Sequence, residues 1–217
     1  MNTQRPNRQP LKFLMLLAMF YLSVDLAGVI LVNKEVLLPY HLVAVASIPL
    51  PSLYYFCSDV IAEVYGYQYA RQIVWATIFF EFIFIMLCYW LTKLPSPINW
   101  HYETAYLQVL GVLPRVFLAG FLGRLLGIFL NIYFVSKWKI MLKGRFFWLR
   151  SLGSSTIGEG VFTIVSVTTI FLGKTSIKTF FSIMLIAYAY KIIFSPIAAV
   201  LASMLAHYLK RKEGVDH

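Results

Sequence analysis

Residues 57–75 read CSDVIAEVYGYQYARQIVW. They follow an almost unbroken apolar run and set Asp59, Glu63 and Arg71 among aromatics. In a soluble chain this would be a helix end with solvated charges. In a membrane chain it is a span that carries ionisable groups. Composition decides between the two. The 217 residues are 60% hydrophobic and 13% charged, whereas globular domains carry about 25% charged residues. Mean hydropathy is +0.74. A bilayer core of roughly 30 Å needs about 20 apolar residues per helical crossing. Six such runs are expected, at about 11–32, 36–62, 69–92, 106–135, 148–173 and 178–208. The expectation is an all-α integral membrane protein, a six-transmembrane-helix bundle forming one domain over 1–217. The first run is too long for a signal peptide and lacks a small-x-small cleavage site, so it reads as a retained span.

The basic residues set the orientation. With the N-terminus in the cytoplasm, Arg5, Arg8, Lys12, Arg71, Lys137, Lys139, Lys143, Arg145, Arg150, Lys210, Arg211 and Lys212 lie inside. Lys34, Lys93, Lys174 and Lys178 lie outside, and Arg115, Arg124 and Lys191 fall within spans. That bias follows the positive-inside rule with both termini cytoplasmic. It also accounts for the formal charge of +10, so no nucleic-acid partner is needed; the lipid bilayer is the expected surrounding. Cys57 and Cys88 read as packing residues. His41, His101, His207 and His217 are isolated, and no metal site or cofactor is expected.

The ionisable residues inside the spans are Asp25, Asp59, Glu81, Arg115, Arg124, Glu159 and Lys191, with Glu63 at the cytoplasmic edge. Each costs about 2.5–3.5 kcal/mol at a helix centre. They must therefore face one another or a wet cavity, and a transport path is the default reading. Helical phase sorts them. Gly120, Arg124 and Asn131 share a face of span 4, with Arg115 opposite; Gly123 and Gly127 form a GxxxG that permits close helix approach. In span 5, Ser155, Glu159, Thr163, Ser166 and Thr169 form one stripe, and Gly158 and Gly160 flank the acid. Pro49 and Pro51 predict a break or kink in span 2. Beyond it, Asp59 and Glu63 lie one turn apart, able to hold a cation, share a proton or pair with Arg71.

Four stretches carry a resemblance: SDVIAEVYGYQYARQIVW, PRVFLAGFLGRLLGIFLNIYFVSKWK, GRFFWLRSLGSSTIGEG and YAYKIIFSP. Together they resemble the queuosine precursor transporter family, also called the vitamin uptake transporter family. The resemblance implies a six-span inner-membrane importer of 7-deazaguanine bases. It carries over Asp59, Glu63, Arg71, Arg115, Asn131, Ser155, Gly158 and Lys191 by position. The chain departs from the family pattern at Gly127–Ile128, where Glu or Gln often follows the glycine, and at Phe162–Thr163, where an Asp-Thr pair is usual. Glu159 and Arg124 are placed to supply replacement polarity.

A purine-like base offers a ring face for stacking and an N–H edge that a carboxylate accepts. Glu159 or Asp59 suits the edge, and Tyr54, Tyr55, Phe162 or Tyr188 the face. The expected substrate site joins these to Lys191, Arg124, Ser155 and Asn131, with Lys191 paired to Glu159 or Asp25 directly or through water. Asp25, Glu63 and Glu81 are candidates for ion or proton coupling. The expected function is uptake of a small planar nitrogenous compound. The alternative is a non-transporting membrane partner, such as a substrate-capture subunit of an energy-coupled vitamin transporter. Small-residue helix faces leave a homodimer open. No nucleophile–base pair points to an enzyme, and no P-loop to nucleotide-driven pumping.

Overall fold

A computed structural model describes residues 11, 13–32, 34–38, 42–97, 99–171 and 177–213. Arg5, Arg8, Lys12, His41, Lys174 and His217 lie outside the described residues. The chain forms α1 (Leu14–Leu31), a hairpin of β1 (Glu35–Leu38) and β2 (Leu42–Val45), then α2 (Leu50–Val64) and α3 (Tyr67–Thr92). It continues through α4 (Glu103–Leu110), α5 (Leu113–Met141), α6 (Phe147–Phe171) and α7 (Ile177–Glu213). Four stretches are long and apolar enough to cross a membrane: Leu14–Leu31, Tyr67–Thr92, Glu103–Met141 and Met184–Glu213.

The second apolar run departs from expectation. It is not helical from residue 36: β1 and β2 pair antiparallel there, with Glu35 opposite Val45 and Leu38 opposite Leu42. Valines at 36, 43 and 45 suit extended backbone. Helix α2 begins only at Leu50, with Pro49 at its N-cap and Pro51 in its first turn. The first-turn N–H groups have no intrahelical partner in any case, so prolines start this helix rather than kink it. Its 15 residues span about 22 Å. Gly66, at φ 97°, takes a left-handed conformation that lets α2 reverse directly into α3.

The burial pattern is that of a membrane protein. Phe79, Trp90 and Ile140 are exposed, whereas Asp25, Asp59, Glu81, Arg124 and Glu159 are buried. α5 and α6 make the most extensive helix pair. They cross at the glycines: a Cβ on Gly127 would meet the Gly158 carbonyl oxygen at 2.6 Å, and one on Gly158 the Gly127 carbonyl oxygen at 2.6 Å. The GxxxG is thus the α5–α6 crossing.

One end of the bundle gathers the start of α1, the α2–α3 turn, the α5–α6 loop and the end of α7. The Phe13 N–H donates to Glu213 at 3.0 Å and the Tyr65 hydroxyl to the same carboxylate at 2.9 Å. Glu63 at this end joins Arg150, Lys139 and Lys210. Most of the chain's described basic residues therefore sit at one end.

Candidate functional site

Three polar layers follow one another along the facing sides of α2 and α6. The one farthest from the basic end of the bundle centres on Glu159 of α6, which is 2% exposed. Of the buried carboxylates Asp25, Asp59, Glu63, Glu81 and Glu159, it alone joins no ion pair within 4 Å and takes no side-chain hydrogen bond of ordinary geometry among the described residues, Ser52 bearing on it only as a weak donor. Ser52 and Tyr55 of α2 and Lys191 of α7 bear on it electrostatically. The Ser52 and Tyr55 hydroxyls are themselves buried without a partner, as is Oδ1 of Asn131. Lys191 donates Nζ to Thr163 Oγ1 at 2.9 Å and lies 4.3 Å from the Phe162 ring centroid. Thr163 in turn donates to the Glu159 carbonyl at 2.7 Å. The ring of Tyr188 borders Gly160, where a Cβ would meet it at 3.3 Å. Small residues thus leave room beside the acid for rings and hydroxyls.

The layer below belongs to Asp59 of α2. Asn131 Nδ2 donates to Oδ1 at 2.6 Å, and Ser151 and Ser155 both donate to Oδ2, the latter at 3.1 Å. Both oxygens are used, by neutral donors from α5 and α6. The layer at the bundle end belongs to Glu63. It binds fully buried Arg150 at 3.2 Å, Lys210 directly and Lys139 at 3.9 Å. Arg150 also donates to the carbonyls of Val135, Gly144 and Arg145. A separate cluster on the α1, α3 and α5 side holds Arg124 between Asp25 and Glu81. Tyr54 lies there, donating to the Val24 carbonyl at 3.5 Å and packing on Tyr21. A cavity of about 550 Å³ opens elsewhere, at the far end of α3, lined by Cys88, Pro95, Trp100, Glu103 and Tyr106. None of the Glu159 neighbours lines it.

The family model described as "Putative vitamin uptake transporter" matches residues 45–206. A "Probable queuosine precursor transporter" of Bacillus subtilis (strain 168) is 30% identical over 159 residues, covering 70% of this chain and 68% of that protein. The chain belongs to this transporter family. No solved structure matches it. As a family member it is a multi-pass membrane protein of transport, and the matched region takes in the Glu159 and Asp59 layers whole. Asp25 and Lys210 lie outside that region.

The structure divides the expected site residues among separate clusters. Glu159, Lys191, Phe162, Tyr55 and Tyr188 come together. Asp59, Asn131 and Ser155 form their own layer, and Arg124 and Tyr54 join Asp25 and Glu81. Glu63 pairs with Arg150, Lys139 and Lys210, whereas Arg71, proposed as its partner, is exposed. Among the described residues Lys191 makes no ion pair within 4 Å; its direct bond is to Thr163. Ser52, Ser151 and Arg150 were not singled out by sequence reading. Ser151 extends the Ser/Thr face of α6 by one turn, and Ser52 lies about two turns before Asp59 on the same face of α2, signals that periodicity could have supplied.

Proposed function

We propose that the chain is an uptake transporter of the cell inner membrane for a small planar nitrogenous compound, a 7-deazaguanine queuosine precursor or a related purine or vitamin. It crosses six times, by α1, α2, α3, α5, α6 and α7, with both termini in the cytoplasm. The clustering of Lys139, Arg150 and Lys210 with both helix ends at one face supports this orientation, because retained basic loops mark the cytoplasmic side. Helices α2 and α6 are shorter or more polar than a lone span would be, as suits helices packed between others.

The observation that carries the substrate reading is the Glu159 carboxylate, buried beside Lys191 with no ion pair within 4 Å and only Ser52 bearing on it as a weak donor among the described residues. A buried polar group normally finds a partner, so a ligand with an N–H edge would complete this layer. Glu159 accepts that edge, Lys191 balances the charge, and Ser52, Tyr55 and Asn131 Oδ1 offer further polar contacts. Phe162 and Tyr188 supply ring faces. Purified protein tested against 7-deazaguanine bases, purines and vitamins should bind the first class. Glu159→Gln should weaken that binding about 100-fold, or about 2.7 kcal/mol, with thermal stability nearly unchanged. Unaltered affinity in the variant would make Glu159 structural and overturn the site. Uptake by the chain alone in liposomes separates a transporter from a capture subunit.

A further inference from the structure

The Arg124 cluster is not used by the substrate site, yet it is the most completely buried set of charges away from the bundle end. Arg124 of α5 donates Nη1 to Asp25 Oδ1 of α1 and Nη2 to Glu81 Oε2 of α3. These residues are 4%, 1% and 0% exposed. The second oxygens, Asp25 Oδ2 and Glu81 Oε1, are buried without a hydrogen bond. The two carboxylates also interact directly. The other titratable groups facing the cluster are Tyr21 of α1 and Tyr54 and Cys57 of α2. None of them is a cation.

Two carboxylates against one guanidinium leave a formal charge of −1. An uncompensated charge in a buried site costs several kcal/mol, and Arg124 cannot be the group that changes, since a guanidinium stays protonated in proteins. A single proton removes the excess. Placed on one carboxylate, it becomes a donor to the other, so one bond satisfies two orphan oxygens. A metal cation would neutralise the charge as well, but it would have to sit against Arg124.

We propose that Asp25, Glu81 and Arg124 form a proton-binding site that holds one exchangeable proton between the two carboxylates, and that a proton gradient acts on transport there. The coupling half rests on the transport reading above. The site ties α1, α3 and α5 together, whereas the ligand layer lies on α2, α6 and α7, with α5 reaching it through Asn131. Losing the proton restores a repulsive pair and loosens the first group of helices against the second. That gives one proton a mechanical route to the ligand site.

The test uses the full chain in liposomes. Infrared spectra of wild type should contain the carbonyl band of a protonated carboxylic acid, lost in Asp25→Asn and in Glu81→Gln and retained in Glu159→Gln. An inside-alkaline gradient of one pH unit should drive wild type to accumulate a labelled 7-deazaguanine base about tenfold, the limit for one proton per ligand at about 1.4 kcal/mol. Both variants should exchange the base without accumulating it. A wild-type spectrum without the band, or a band unchanged in both variants, overturns the proton site. Exchange in wild type with no gradient-driven accumulation overturns the coupling. A wild type that carries no base sinks the transport reading alone, and the infrared band still decides the site.

Discussion

Asp59 and Glu159 are both carboxylates inside the same helix bundle, and Ser155 lies one turn from Glu159 while bonding to Asp59. Their surroundings are opposite. Asp59 receives three donors from two other helices, whereas among the described residues Glu159 has only Ser52 as a weak donor. Neither is exposed, so burial does not distinguish them; satisfaction does. A carboxylate whose lone pairs are filled by its own protein fastens helices together. One left with partners still to find is poised for something that comes and goes. The comparison predicts that the two acids fail differently when removed, one in stability and the other in binding.

The largest effect should come from Asp59→Ala. It strands the buried hydroxyls of Ser151 and Ser155, each costing about 1–3 kcal/mol when unpaired, and leaves the Asn131 amide only its 3.3 Å bond to Ser58 Oγ. With some relaxation, a loss of about 3–5 kcal/mol is expected, read as lower thermal stability in detergent. Ligand binding by the surviving folded fraction should persist. A variant as stable as wild type but unable to bind would reverse the roles of the two acids.

The same pair shows what the sequence could and could not reveal. The stripe Ser155–Glu159–Thr163–Ser166 was legible because helical period alone places those residues on one face, and all four are buried. Thr169 continues the count but is exposed, bonding back to Val165. Which acid meets which donor was not legible. Arg124 and Asn131 are seven residues apart on one helix, yet they serve different clusters, because α1 and α3 reach one and α2 and α6 the other. Arg150 read only as one of the cytoplasmic basic residues; the first turn of α6 instead buries it against Glu63. The hairpin was hidden for a simpler reason. An apolar run has no period that separates a strand from a helix.

A smaller effect probes the crossing that holds the two acids in their separate layers. Gly127→Ala sets a methyl 2.6 Å from the Gly158 carbonyl, 2.8 Å from the Tyr55 hydroxyl and 2.9 Å from the Phe162 Cβ. Backbone is on the other side, so the helices must move apart. Overpacking of this kind costs about 1–3 kcal/mol. Because Asn131 rides on the same helix, the shift should draw it from Asp59 and disturb Tyr55 beside Glu159. Stability and binding should therefore fall together in this variant, unlike in either acid variant. A clean split, with only one of the two measurements changed, would show that the layers are held independently of the crossing.

The smallest effect is expected at the bundle end, where Lys139 is a control for charge without enclosure. Its ammonium lies 3.9 Å from the Glu63 carboxylate, with a side chain 32% exposed, whereas Arg150 contacts the same acid with none of its side chain exposed. Lys139 also donates to the Glu63 carbonyl at 3.0 Å. Water can replace both contacts, and a partly exposed pair contributes about 0–1 kcal/mol. Lys139→Ala should thus lower stability by about 1 kcal/mol or less, with the difference shrinking as salt is raised. Lys210 and Arg150 remain on Glu63, so the acid is not stranded. If Lys139→Ala destabilised the protein as much as Asp59→Ala, the number of charges near an acid would matter more than the filling of its lone pairs. The contrast between Asp59 and Glu159 would then need another cause.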